Sequence, residues 1–356
     1  LGLNHAGVLT SLNRVLMWGY NGYYQLGDGT NTQKNLPVDI TSRFTLEEGE
    51  VNVALALGGY FSLSITSNNK VKSWGNNNVG QLGDGTNSIK SYPVKLKGIT
   101  YTVKNNYLPV TETIVKQALG ESFTVLLTSS NRVFTFGLNN FGQLGIGNTT
   151  TSLPVDITAN FNLNVGEIVT DIYAGNYFVF ALTSENRIFS WGQNNYGQLG
   201  NGTTQNKYLP QDVTSYFGIY EPESVIDISL AVEFGLMLTS EGRLMAWGYN
   251  AYGQLGDGTT QNKYLPIDVT ANLSLSVGEK ITKISAGGWH SLAYTTENRM
   301  FAWGRNDYGQ LGDSTFVQKT LPTDITSNLV LLPAETISQV ESRYLTSYTI
   351  TSEGRV

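Results

Sequence analysis

Asparagine, glutamine and a carboxylate recur in this chain at fixed offsets from an aromatic-Gly pair. Such a set can hold a cation or a polar ligand. The fifth copy reads WGYNAYGQLGDGT, from Trp247 to Thr259. The pair itself stands at Trp18, Trp74, Phe136, Trp191, Trp247 and Trp303. Asn follows three residues later in every copy: Asn21, Asn77, Asn139, Asn194, Asn250 and Asn306. Gln-Leu-Gly then begins at Gln25, Gln81, Gln143, Gln198, Gln254 and Gln310. The acidic position holds Asp28, Asp84, Asp257 and Asp313, with Ile146 and Asn201 in the other copies. Calcium loops draw several oxygen ligands from one short segment. Here each loop offers one carboxylate at most, so Asp-Gly reads as a tight turn and no metal is expected.

Identical chemistry in six copies points to architecture. Glycines such as Gly256 permit positive φ and close backbone approach. The large aromatic supplies apolar contact. Asn250 and Gln254 can hydrogen-bond loop backbone groups. Trp18, Trp74, Phe136, Trp191, Trp247 and Trp303, with Asn250, Gln254 and Gly256, are therefore assigned to a structural corner. Tyr24 departs from the pattern, standing where the other five copies have Gly.

The two histidines, His5 and His290, share one repeat position. Phe61, Phe123, Phe178, Phe234 and Thr346 occupy it elsewhere, which marks a packed position. No G-x-S-x-G elbow and no phosphate-binding loop is present. The chain is read as non-enzymatic, with no cofactor. It has no cysteine, which excludes disulfides and thiolate chemistry.

These corners punctuate a repeat of about 56 residues. In the fifth unit, Val225 to Ala231, Phe234 to Ser240 and Arg243 to Gly248 read as strands. A short turn at Glu241–Arg243 joins the second to the third. Tyr264 to Thr270 follows, and its proline demotes it to an edge strand. No convincing helix is seen. Three to four short strands per repeat suggest propeller blades. Hairpin beginnings number seven and complete corners six. The expected fold is an all-β, seven-bladed β-propeller with four-stranded antiparallel blades, incomplete in the seventh. It forms a single domain over residues 1–356. Leu1 falls inside a repeat, so a longer parent chain is expected.

Composition agrees with a β-rich, turn-rich protein. Charged residues make up 14% of the 356, and Gly numbers 39. Net charge is −6, without a Lys/Arg cluster, so nucleic acid is not an expected partner. No run of about 18 apolar residues exists, so no membrane span is expected. Low charge, absent cysteine and abundant Asn, Thr and Tyr favour an extracellular or cell-surface setting.

The pattern W-G-x-N-x-x-G-Q-L-G-x-G, preceded by A-G-x-x-H-S-L-A, resembles the repeat of the regulator of chromosome condensation family across nearly the whole chain. The resemblance implies a seven-bladed β-propeller. It also implies a range of functions: exchange factor for the small GTPase Ran with nucleosome binding, ultraviolet-B photoreception, β-lactamase inhibition, or an interaction domain. The segment Gly288–Ser291, GWHS, resembles the Trp-centred motif of the photoreceptor. The equivalent positions Tyr60, Ser122, Tyr177 and Glu233 exclude that role.

Function on a propeller usually sits where copies differ. Six extra residues lie within Val94 to Val115, a segment with a basic tint. It contributes Lys95, Lys97, Tyr101, Lys104 and Tyr107 as candidate partner contacts. In the founding family member a protruding hairpin helps drive nucleotide exchange. The segment Tyr216 to Val225 mixes aromatics with acids and adds Tyr220, Glu221 and Glu223. The expected function is a monomeric protein-interaction scaffold. The alternatives are a guanine-nucleotide exchange factor and a secreted or cell-surface binding protein.

Overall fold

Every strand of the computed structural model is short, and neighbours in sequence pair antiparallel. The structure describes residues 2–97 and 112–356. It divides into two compact units: residues up to Gln193 with Asn206–Asp212, and Asn194–Gln205 with Val213–Val356.

The first unit holds four sheets. One is three-stranded: β1 (His5–Leu9), β2 (Val15–Gly19) and β3 (Lys34–Asp39). The second contains β4 (Asn52–Leu57), β5 (Phe61–Thr66), β6 (Val71–Gly75) and β7 (Lys90–Lys95). The third contains β8 (Ile114–Leu119), β9 (Phe123–Thr128), β10 (Val133–Gly137) and β11 (Thr151–Asp156). The fourth contains β12 (Val169–Ala174), β13 (Phe178–Thr183), β14 (Ile188–Gly192) and β15 (Lys207–Asp212).

The second unit holds three sheets. After a single helical turn, α1 (Thr214–Phe217), come β16 (Val225–Leu230), β17 (Phe234–Thr239), β18 (Leu244–Gly248) and β19 (Lys263–Asp268). The next sheet contains β20 (Ile281–Ala286), β21 (His290–Thr295), β22 (Met300–Gly304) and β23 (Lys319–Asp324). Finally β24 (Ile337–Arg343) pairs with β25 (Thr346–Thr351).

The fold is an all-β propeller built of antiparallel blades. The expectation of seven blades is corrected to six. Six sheets carry an aromatic-Gly strand, five of them four-stranded and the first three-stranded. β24 and β25 pair alone, because no third or fourth strand joins them among the described residues.

Burial follows strand position. In the five four-stranded sheets the second strands, such as β9 and β13, are buried at every residue because both faces are covered. The proline-bearing strands sit at sheet edges, where a missing N–H costs no ladder bond. Each unit has its own apolar core, with Phe161, Ile172 and Trp191 in the first and Leu273, Ile284 and Trp303 in the second. The hairpin turns before the third strands use left-handed backbone. Asn298 has φ 60°, and Gly242 serves the same turn with φ 85°.

The aromatic-Gly pair marks a bulge. Register shifts between Ala302 and Gly304 where β22 meets β23, and Gly304 has φ 100°. A Cβ there would lie 2.6 Å from the Trp289 carbonyl oxygen and 2.8 Å from His290 Cα. Only Gly fits this crossing, and the bulge carries the chain off the sheet into the loop.

Candidate functional site

The corner is a closed hydrogen-bond network. Asn250 Oδ1 accepts from Leu255 N at 2.9 Å. Its Nδ2 donates to Asp257 Oδ1, Thr259 O and Gln261 O at 3.0, 3.1 and 3.1 Å. Gln254 Oε1 accepts from Tyr252 N at 3.0 Å. Asp257 accepts from Thr259 N and pairs with Lys263 at 3.0 Å. Burial disfavours the Asp257 charge, but Lys263, Thr259 and Asn250 outweigh it and hold the carboxyl below its ordinary range. These donors already occupy the oxygens. No group of three or more His, Cys, Asp or Glu able to hold a metal exists among the described residues. Tyr24 keeps the left-handed backbone of its Gly counterparts, with φ 62°.

The Gln backbone carbonyl joins one blade to the next. Gln254 O accepts from Trp303 Nε1 at 2.9 Å and from Ser291 Oγ at 2.7 Å. Gln25 O likewise accepts from Trp74 and Ser62. Gln143 O and Gln198 O are served by Trp191 and Trp247, where Val179 and Gly235 replace Ser. Gln81 O is served by Thr124 Oγ1, where Phe136 replaces Trp. Each copy that lacks one side-chain donor retains the other.

The histidines belong to the same joints. His290 Nε2 lies 2.7 Å from Ser347 Oγ, and Ser347 Oγ donates to Gln310 O at 2.9 Å. The imidazole Nε2 must therefore be the donor, so it cannot take the serine proton. His290 is fully buried, and burial lowers its pKa to about 4. His5 meets Ser62 in the same way at 2.9 Å. A buried, donating imidazole is not a general base.

The other predicted residues disperse. Lys95 ends β7 and is exposed, as is Lys97, whose N–H donates to Gly83 O. Tyr101, Lys104 and Tyr107 lie outside the described residues. Tyr220 and Glu221 are exposed on the loop after α1. Glu223, expected as a partner contact, is engaged in an internal ion pair. Arg243 grips both its oxygens, with Nε at 2.8 Å and Nη2 at 2.7 Å. Glu167–Arg187 and Glu279–Arg299 repeat this pairing at the same 20-residue separation. An acid 20 residues before an Arg was the available signal.

A different constellation, not foreseen from sequence, stands at one end of the sheets. In each blade the residue after the aromatic-Gly pair donates its N–H to the residue preceding the strand that leads into the aromatic-Gly strand, β1 in the first sheet and the second strand in the others. Tyr20 donates to Asn4, Asn76 to Tyr60, Leu138 to Ser122, Gln193 to Tyr177, Tyr249 to Glu233 and Arg305 to Trp289, all at 2.8–3.0 Å. The backbone clasp is constant while the side chains differ.

In the first unit, Tyr23 packs 5.1 Å from Tyr60 and 6.3 Å from Tyr20, and Phe141 packs 5.2 Å from Tyr177. Burial and a hydrogen bond to Glu121 push the Tyr177 phenol up. Asn176 Nδ2 donates to Glu121 Oε2 at 3.2 Å.

In the second unit the rings form a row. Tyr196 to Tyr249 is 4.9 Å, Tyr249 to Tyr252 is 6.3 Å, Tyr252 to Trp289 is 6.2 Å and Trp289 to Tyr344 is 5.2 Å. The Arg305 guanidinium lies 5.0 Å from the Tyr252 ring centre, 5.2 Å from Trp289 and 5.5 Å from Tyr308. Burial works against the Arg305 charge, and Asp307 and the neighbouring phenols more than restore it. Burial pushes the Glu233 carboxyl up. Aromatic residues and Arg are the types enriched in the cores of protein interfaces, whereas Glu is depleted there.

Comparison with known proteins follows this geometry. The RCC1-like domain model matches residues 1–266. The regulator of chromosome condensation (RCC1) repeat model matches residues 241–294 and 297–341. The chain is 31% identical to human E3 ubiquitin-protein ligase HERC2 over 84% of its own length and 6% of the ligase. It is 27% identical to the ultraviolet-B receptor UVR8 of Arabidopsis thaliana over 86% of its own length and 64% of the receptor. It is 28% identical to human protein RCC2 over 73% of its own length, spanning half of that protein. Among solved structures, Saccharomyces cerevisiae Prp20p superposes with TM-score 0.79 at 22% identity, covering 98% of this chain and 80% of Prp20p. Human WBSCR16 gives 0.78 at 21% identity, covering 98% and 84%. Prp20p is described with its binding to Gsp1p and histones. The six repeated corners, the blades they join and these matches agree: the chain belongs to the regulator of chromosome condensation (RCC1) repeat family.

Proposed function

We propose that the chain is a non-enzymatic protein-interaction module that engages a partner protein through the variable side chains of the clasped blade ends. The observation that carries this reading is the contrast at those ends. The N–H to carbonyl clasp is the same in all six blades, while its side chains change from Asn to Tyr, Trp, Glu and Arg. Tyr, Trp and Arg are the residues that dominate interface energetics. Prp20p is described with protein partners, and yeast RCC1 with bound Kap60, which supports a protein partner here. The net charge of −6 disfavours a phosphate backbone. Exposed Lys95, Lys97, Tyr220 and Glu221 are proposed as auxiliary contacts.

Affinity capture with the intact chain tests this. Two double variants, Tyr20→Ala with Tyr60→Ala and Tyr252→Ala with Trp289→Ala, are expected to lose partners that the parent retains. Undiminished recovery by both overturns the reading. Deleting six residues within positions 98–111 tests the auxiliary segment in the same assay, and undiminished recovery removes it from the surface.

A second reading is nucleotide exchange on a small GTPase, favoured by the likeness to Prp20p and RCC2. It predicts accelerated release of a fluorescent GDP analogue. Release at the intrinsic rate across a panel of GTPases rejects it.

A further inference from the structure

We infer that Arg305 is the anchor for a carboxylate presented by a partner protein, an acidic side chain flanked by apolar residues. This rests on the interaction-module reading and names the partner's chemistry. The guanidinium is held by three ring faces, Tyr252, Trp289 and Tyr308, at 5.0–5.5 Å. Its backbone N–H is fixed to Trp289 O at 2.8 Å. Its Nε donates to Asp307 Oδ2 at 2.9 Å. Neither terminal nitrogen has an acceptor among the described residues, although the side chain is only 18% exposed.

A half-buried cation normally fills its donors. Here the fork is fixed in position and left open at its outer end. A planar fork with two parallel N–H groups matches a carboxylate in bidentate fashion. Removing water from the aromatic frame strengthens that contact. The surroundings favour one carboxylate over a polyanion. Asp307 is exposed beside the fork, and its like charge repels a multiply charged phosphate chain more strongly than a single carboxylate. The ring row from Tyr249 to Tyr344 offers apolar contact to residues flanking the acid. Among the six clasped positions, Arg305 is the single cation.

The test is selection of random dodecapeptides displayed on phage against the immobilised intact chain, followed by anisotropy titration of labelled winners. The parent is expected to enrich peptides with Asp or Glu beside an apolar residue. Replacing that acid by its amide, or Arg305 by Gln, is expected to weaken binding at least about tenfold, the worth of a charge-assisted pair. Asp307→Asn removes a neighbouring competitor, so it is expected to tighten binding about two- to fivefold by the same electrostatics. A merely structural Arg305 would not give that gain. Thermal melting of each variant separates loss of binding from loss of fold. Pools without acidic enrichment, or acidic peptides that bind Arg305→Gln equally well, overturn the assignment. Arg305-dependent binding of heparin, or Arg305-dependent self-association seen by light scattering, also overturns it in favour of a polyanion or a second copy. Peptides lost on Tyr20→Ala with Tyr60→Ala but kept by Arg305→Gln would leave the module reading standing and sink this one.

Discussion

At the residue scale the most informative atoms are the six Gln carbonyl oxygens. Each is met by an indole N–H, a hydroxyl or both from the following blade. A buried carbonyl that loses its last donor costs more than one that loses one of two. Trp191→Phe strips Gln143 O of its indole donor, with Val179 offering none. Trp303→Phe leaves Ser291 in place. The first is expected to lower stability by about 2 kcal/mol and the second by about 1 kcal/mol, read from urea denaturation. Equal losses would count against the carbonyl as the joint.

His290 supplies a second residue-scale expectation. Its folded pKa of about 4 lies below the ordinary value of 6.5. Between those values the unfolded chain binds the proton and the folded chain does not. Stability is therefore full above pH 6.5 and falls as pH drops toward 4. The loss at pH 5 is about 2 kcal/mol by linkage. His290→Phe, the residue four other blades carry, is expected to flatten the melting temperature between pH 6.5 and 5. A variant that keeps the parent's slope there would show that His290 is not its source. The packed nature of this position was legible from its Phe counterparts. The bond to Ser347 was not, because it links residues 57 positions apart in sequence.

At the element scale, hairpins are clamped by an Arg that reaches an acid before the first strand and an Asp closing the fourth. Arg299 meets Glu279 at 3.0 Å and Asp324 at 2.9 Å. The Glu279 side chain is fully buried. Arg299→Ala leaves that carboxylate with its bonds from Thr295 and Ser276 but no cation, and is expected to cost about 3 kcal/mol. Among the described residues Arg14 forms an ion pair with Asp39 alone, and both are exposed, so Arg14→Ala is expected to cost about 0–1 kcal/mol. Chemical denaturation of the two variants compares them, and similar costs would reject the clamp. Strand positions in the fifth repeat agree with the sequence reading to within one or two residues, because alternation, turns and Pro placement are local signals. The short helical turn α1 escaped it. Four residues give no helical period, and the turn is stabilised by Phe217 packing edge-on against Trp247 at 5.0 Å.

At the scale of the molecule, the repeat explains both what was read and what was missed. Six equal corners announce the architecture from sequence alone. The blade count was over-read because a two-stranded start looks like the start of any other blade. The positions Tyr60, Ser122, Tyr177, Glu233 and Trp289 were weighed only against the photoreceptor motif, and their union with the residues after the aromatic-Gly pairs exists only after folding. Charge is likewise organised by the repeat. Glu50, Glu167, Glu223, Glu279 and Glu335 all titrate below the ordinary range. Burial opposes this at Glu50, Glu167 and Glu279, and bonds to Thr, backbone N–H or a basic partner prevail. Folded carboxylates with depressed pKa stabilise above the unfolded value and cease to do so as pH falls through the folded one. Glu335 marks the lower end, at about 2. Beyond the His290 effect, a steep loss of melting temperature is expected between about pH 4 and pH 2. A flat profile across that window would contradict the ion-pair assignment.

The clasp between the residue after each aromatic-Gly pair and the residue before the strand leading into that pair has an evolutionary and practical consequence. Its hydrogen bond uses only main-chain atoms, so the clasp itself does not dictate which side chains stand at its two ends. An exposed member such as Tyr20 can drift, or be randomised in a library, with the main-chain bond intact, whereas buried Gln193 and the Glu121-bonded Tyr177 are tied to the fold. On the proposed reading as an interaction module, the exposed part of this frame is where specificity would be rewritten, side chain by side chain.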